Sequence, residues 1–136
     1  MDTDIKIDLS KDHKKIAGAA LRTFFNIVSA WNLDAMQAMT LLGFDEGNRS
    51  TYFKWKRDPE SARLTKDKLE RLSYIFGIYK ALQIVLPKPE SADSWIHRPN
   101  KALPFGGKSA LDRMLSGHVS DLYVVRQYLD AERGWS

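Results

Sequence analysis

The residues of this chain best equipped to meet another molecule lie between positions 49 and 57. The segment "RSTYFKWKR" carries Arg49, Lys54, Lys56 and Arg57 with no acid among them, and three aromatic residues run through it. Clustered cations attract a phosphate backbone, and small hydroxyls such as those of Ser50 and Thr51 can hydrogen-bond base edges in a groove. A solvated helix face with its apolar members turned inward has the same composition. The surrounding elements must decide between the two.

Other chemistries find less support. The "GGKS" at 106–109 looks like the end of a phosphate-binding loop, but that pattern requires glycine where Ala102 stands, Pro104 interrupts it, and no strand pattern precedes it. It reads instead as a glycine-opened helix start with Lys108 at the surface. His13, His97 and His118 fall in separate segments without the i, i+3 or i+4 partners of a helical metal site, and are expected to be solvated or to cap locally. No serine sits in G-x-S-x-G, and the acids stand singly beside lysine or arginine, so neither a nucleophile elbow nor a paired-carboxylate site is indicated. No cysteine occurs, which removes disulfides and thiolate metal sites. The expectation is a binding protein, not an enzyme, with no metal and no cofactor.

The elements that must position the basic segment are helical. From Asp12 to Trp31, Ile16, Ala20, Phe24, Ile27, Val28 and Trp31 recur at steps of three and four along one side of a helix. A short helix starts near Asp34, carries Met36, Met39 and Leu42, and ends at Gly43. After the turn "FDEGN", Asn48 is placed to cap the basic helix, which "DP" then stops. Thr65 opens the longest helix, with Leu69, Leu72, Phe76, Tyr79, Leu82 and Leu86 as its expected buried stripe. A short helix, a glycine-bearing turn and a short basic helix between longer braces make a helix-turn-helix. In that geometry Arg49, Ser50 and Thr51 would read bases, while Lys54, Lys56 and Arg57 anchor on phosphates. Tyr52, Phe53 and Trp55 cannot all face DNA, and Phe53 is the expected core member, leaving Tyr52 with the DNA-facing set.

From Leu86 to Phe105 four prolines and weak periodicity read as a linker or wrapped loop, with Trp95 and Ile96 pinned somewhere. Beyond it lies a helical hairpin: Ser109 and Asp112 form a cap pattern, Leu111, Met114 and Leu115 line one face, Gly117 breaks the helix, and Val119, Leu122, Val125 and Leu129 mark the next. The expected organisation is thus 1–86 helical with the helix-turn-helix, 87–105 a linker, and 106–136 the hairpin.

Composition bounds the rest. With 136 residues, 43% of them hydrophobic and 28% charged, the chain can bury a core, and its net charge of +4 (21 basic less 17 acidic) is mild. The start is charged, and no apolar run approaches the roughly 18 residues of a membrane span, so a cytoplasmic protein is expected.

Two stretches, "LERLSYIFGIYKALQIVL" and "WIHRPNKALPFGGKSALDRMLSGHVSDLYVVRQYLDAERGW", closely resemble the antitoxins of the Xre/MbcA/ParS family. The resemblance runs from about Leu33 onward and is most specific in "PFGGKSAL", "MLSG" and the terminal "RGW". It implies an all-α fold, an Xre-like helix-turn-helix bundle joined to a C-terminal toxin-binding hairpin. It also implies a RES-domain toxin as partner, one that consumes NAD or transfers ADP-ribose from it, and repression of its own operon through operator DNA. Because helix-turn-helix proteins usually bind as twofold dimers, a homodimer is expected, with the N-terminal helix in part of its contact. By position, Arg133, Gly134 and Trp135 would plug the toxin's active-site mouth. Gly106, Gly107 and Lys108 would open the domain that holds the plug, with Tyr128 also at the toxin. The turn "GFDEGNRS" departs from the family pattern by about two extra residues. Two other classes stay open at this stage: a stand-alone dimeric regulator, and a nucleotide-binding enzyme using "GGKS".

Overall fold

The computed structural model describes residues 9–134. They form seven α-helices: α1 (Leu9–Ala30), α2 (Ala35–Leu41), α3 (Arg49–Arg57), α4 (Lys66–Val85), α5 (Pro89–Ser94), α6 (Ala110–Met114) and α7 (Val119–Glu132). The fold is all-α, and one continuous apolar core runs from α1 through α4 to α7. Trp135 lies outside the described residues.

Local chemistry sets most boundaries. The Asp34 side chain accepts from Gln37 N at 2.8 Å while Gln37 Oε1 accepts from Asp34 N at 3.0 Å, a reciprocal cap that starts α2. Thr65 caps α4 by accepting from Lys68 N, and Ser109 caps α6 by accepting from Asp112 N. Gly43 ends α2 with φ +75°, where a side chain would be strained.

The faces differ from expectation in two helices. In α1 and just past its end the inner side is Ala17, Leu21, Phe24, Ile27, Val28 and Trp31, and Ile16 is 61% exposed. The cause is a close crossing: the turn Pro59–Ser61 lies against the start of α1, where a Cβ on Gly18 would stand 2.7 Å from Glu60 Cγ. Small Ala17 and Gly18 take the crossing and Ile16 is left outside. In α4 the buried set is Arg71, Leu72, Ile75, Ile78, Ala81 and Leu82, and Leu69 is 43% exposed. Because α4 packs along α7 on one side and α1 on another, it has two inner faces rather than a single stripe.

The stretch read as a linker or wrapped loop carries structure of its own and is pinned at Trp95 and Ile96, as expected. Pro89 starts α5, where its missing N–H costs nothing, and a tight turn at Trp95–His97 follows. Ala92, Ile96 and Phe105 join the core. Gln83 Nε2 donates to Asp93 at 3.2 Å. Two histidines expected to be solvated or local are long-range ties: His97 Nε2 lies 2.6 Å from the Trp31 carbonyl, and His13 Nε2 accepts from Leu64 N at 3.3 Å.

Candidate functional site

The turn before α3 is long but rigid. Phe44 N donates to Met39 O at 2.9 Å, Gly47 N to Asp45 Oδ1 at 2.8 Å, and Asp45 N to Asn48 Oδ1 at 3.0 Å. Asn48 therefore caps the tight turn Glu46–Asn48 and makes no side-chain cap on α3, contrary to expectation. The extra residues of "FDEGN" are a folded turn that delivers the chain straight into α3.

The three aromatics of α3 sort by helical phase. Tyr52, 1% exposed, and Trp55 are three residues apart and share the inner side. Tyr52 packs edge-on to Phe25 at 5.6 Å, and Trp55 meets Phe44 at 5.0 Å. Burial, with Asp34 adding to it, pushes the Tyr52 phenol pKa up. Tyr52 is thus core rather than DNA-facing, and Phe53 is the half-buried one, lying beneath the Arg49 guanidinium at 5.1 Å. The Tyr52 assignment reverses the expectation, while Phe53 packs against the core as expected but only from its edge. At about 100° per residue, Arg49, Phe53 and Arg57 fall in one row with Ser50 and Lys54 beside it, while Thr51 and Lys56 lie on the flanks. Arg49, Ser50, Thr51, Lys54, Lys56 and Arg57 are all exposed. The aromatic underside anchors a helix whose outer side is cationic.

A residue that sequence reasoning missed holds this unit to the rest. Arg71, nearly buried on α4, is bonded through Nε to Asp67 at 3.0 Å and through Nη2 to the Gly117 carbonyl at 2.9 Å. Its guanidinium passes over Gly43 so closely that a Cβ there would stand 2.6 Å from Nε. One side chain thereby touches the end of α2, the start of α4 and the turn between α6 and α7. The only sequence signal was Asp67 four residues earlier; Gly117 is too distant in the chain to show a pattern.

At the other end, Arg113 clamps the hairpin by donating to Asp121 at 2.9 Å and to the Pro104 carbonyl at 2.6 Å, and Ser116 Oγ donates to Asp121 at 2.6 Å. The Ser116 hydrogen bond, and then Arg113, hold the Asp121 carboxyl below the usual carboxylate range against the opposing effect of partial burial. Tyr128 stacks on Trp95 and meets Phe105 edge-on at 5.1 Å. Gly106 and Gly107, at φ +57° and +91°, shape a turn that leaves Lys108 exposed. Arg133 is folded back: its side chain is 9% exposed, with Nη1 3.7 Å from Asp130. Gly134 follows at φ +84°. The structure therefore brings Lys108 and Tyr128 to one end of the molecule, and ties Arg133 to its own helix instead of leaving it extended.

Residues 13–77 match the model of the antitoxin Xre-like helix-turn-helix domain, and residues 81–134 that of the antitoxin Xre/MbcA/ParS C-terminal toxin-binding domain. A protein of Sinorhizobium fredii (strain NBRC 101917 / NGR234), named as the uncharacterized protein y4oB, is 51% identical over 116 residues, 85% of each chain. The chain belongs to the Xre/MbcA/ParS antitoxin family. As an Xre-type antitoxin it joins a helix-turn-helix, which implies DNA as a ligand, to a domain that implies a toxin partner. Its C-terminal match begins inside α4 and takes in the whole of 87–105, in keeping with the packing of that stretch onto the core. Among the described residues no helix is long and apolar enough to cross a membrane.

Proposed function

We propose that this antitoxin neutralises a RES-domain toxin, one that consumes NAD or transfers ADP-ribose from it, and represses its own operon as a homodimer in the cytoplasm. The observation that carries the DNA half is the exposed, acid-free outer side of α3, held in place by Tyr52 and Trp55 beneath it. Arg49, Ser50 and Thr51 read base edges at the start of the helix; Lys54, Lys56 and Arg57 neutralise phosphates along it. For the toxin half, the C-terminal domain presents Tyr128 beside the loop that carries Lys108, and Gly134 and Trp135 are the residues that plug the toxin's active-site mouth. The homodimer draws support from exposed Ile16 on α1 and exposed Leu69 on α4, beside an open groove lined by Ala20, Phe76 and Lys80. A twofold dimer sets two α3 helices about one DNA turn, roughly 34 Å, apart.

The test of the toxin half is co-expression with the product of the adjacent reading frame. The two proteins should co-purify, and the antitoxin should stop that product from depleting NAD. A neighbour that neither binds nor consumes NAD would end this half of the reading. For the DNA half, operator affinity should fall almost linearly with salt on logarithmic axes, and the double variant Lys56→Ala, Arg57→Ala, which removes two phosphate contacts from each protomer of the dimer, should flatten the slope by roughly 3–4 units. An unchanged slope would place the phosphate contacts on another element.

A further inference from the structure

The segment from Ser94 to Leu111 contains Arg98, Lys101 and Lys108 and no acid. Its middle is a hydrogen-bonded loop: Asn100 N donates to Lys108 O at 3.0 Å, Gly107 N to Asn100 O at 2.8 Å, and Ala102 N to Asn100 Oδ1 at 2.9 Å. Phe105 N closes onto Ala102 O at 2.9 Å, and Pro99 bridges to Ser109. At the tip stands Leu103, 98% exposed. Single exposed leucines are common on soluble proteins and by themselves say nothing. Here the side chain is held outward by a fixed loop, so fastening it in an interface costs little conformational entropy. The base of the loop is also fixed. Phe105 is buried against Tyr128 and Trp95, which places the tip beside the C-terminal half of α7. Behind Leu103 an open hollow is lined by Pro104, Phe105, Lys108, Ser109, Asp112 and Arg113.

We infer that Leu103 is an anchor for the toxin: it enters an apolar socket on the toxin whose rim is acidic, matching Arg98, Lys101 and Lys108. This deepens the toxin-binding reading above and rests on it. The occupant follows from two features. The loop lies inside the part of the chain matched by the toxin-binding domain and abuts Tyr128 on α7. The cations around the tip would meet their own equivalents in a contact between copies, and favour a differently charged partner. Duplex DNA, the other polyanion this chain meets, takes a leucine only as a wedge between unstacked base steps, and the loop lies within the toxin-binding match and outside the helix-turn-helix.

The experiment compares wild type, Leu103→Asp and Leu103→Met for binding to the product of the adjacent reading frame by calorimetry. Thermal melting, sedimentation and operator binding of each free variant accompany it. Leu103→Asp should weaken toxin binding at least thirtyfold, and Leu103→Met should stay within about threefold of wild type, with melting unchanged. Toxin binding by Leu103→Asp at wild-type strength overturns the anchor while leaving the toxin reading intact. Wild type that does not bind overturns both. A lowered melting temperature, a changed oligomeric state or a lost operator affinity in Leu103→Asp also overturns the anchor, assigning the residue to the fold, to a second copy or to DNA.

Discussion

Tyr52→Ala should lose about 3–5 kcal/mol of folding stability, the range for emptying a large aromatic site in a core, whereas Phe53→Ala should lose about 1 kcal/mol. The two residues are adjacent and chemically alike, and the difference is one of phase. Tyr52 is closed in by Phe25 and by the helices beneath α3, so truncation leaves a void that cannot collapse without moving α1. Phe53 gives up a half-buried ring and its contact with Arg49, which is itself exposed and so worth little. For a chain of this size the first change corresponds to a fall in melting temperature of at least about 10 °C and the second to a few degrees. Phe53→Ala should still weaken operator binding, because it loosens Arg49 on the outer row. Equal losses of stability would mean that α3 is rotated from the arrangement described.

The second large effect concerns the end of the chain. A protein terminating at Gly134, and so lacking Trp135 and Ser136, should melt as the full chain does yet neutralise its toxin at least about thirtyfold less well, the effect of losing an interface anchor worth about 2 kcal/mol. The cut belongs after Gly134 because Arg133 is part of the fold: its side chain is nine-tenths buried beside Asp130, and its N–H closes the last turn of α7. Removing Arg133 as well would mix a stability effect with a binding effect. The measurement is inhibition of the NAD consumption proposed above for the toxin, at graded antitoxin concentrations, beside a melting curve of the free chain. Undiminished neutralisation by the shortened protein would move the plug away from the terminus.

The features legible in the sequence were those decided within four residues. The helix starts at Asp34 and Thr65, the cap at Ser109, the stop at Gly43 and the helical pattern of every long segment depend on neighbours along the chain. What was misread depends on what lies across from it. Ile16 and Leu69 fit an apolar stripe, but the crossing at Gly18 and the double packing of α4 choose which apolar residues go inward. Asn48 had both the turn before it and the start of α3 within reach of its side chain, and the turn won. In a nine-residue helix with three aromatics, periodicity alone does not say whether Tyr52 or Phe53 leads inward; the position of Phe25 on α1 does. Pro89 looked like one more interruption because its place at the first turn of a helix cannot be told from the number of prolines in 87–105.

The Arg71 contacts bear on how such antitoxins can be recombined. Exchange of toxin specificity between relatives invites treating the second domain as a cassette, cut near residue 80 and grafted onto a foreign reading head. Arg71 lies on the retained side of that cut, while the carbonyl it needs, at Gly117, travels with the insert. A graft whose α6–α7 turn sits even an ångström away leaves a nearly buried guanidinium short of an acceptor, directly above the turn that aims α3. Arg71, Gly43 and the Gly117 carbonyl therefore act as one structural unit, and a hybrid should carry the three together if α3 is to keep its place.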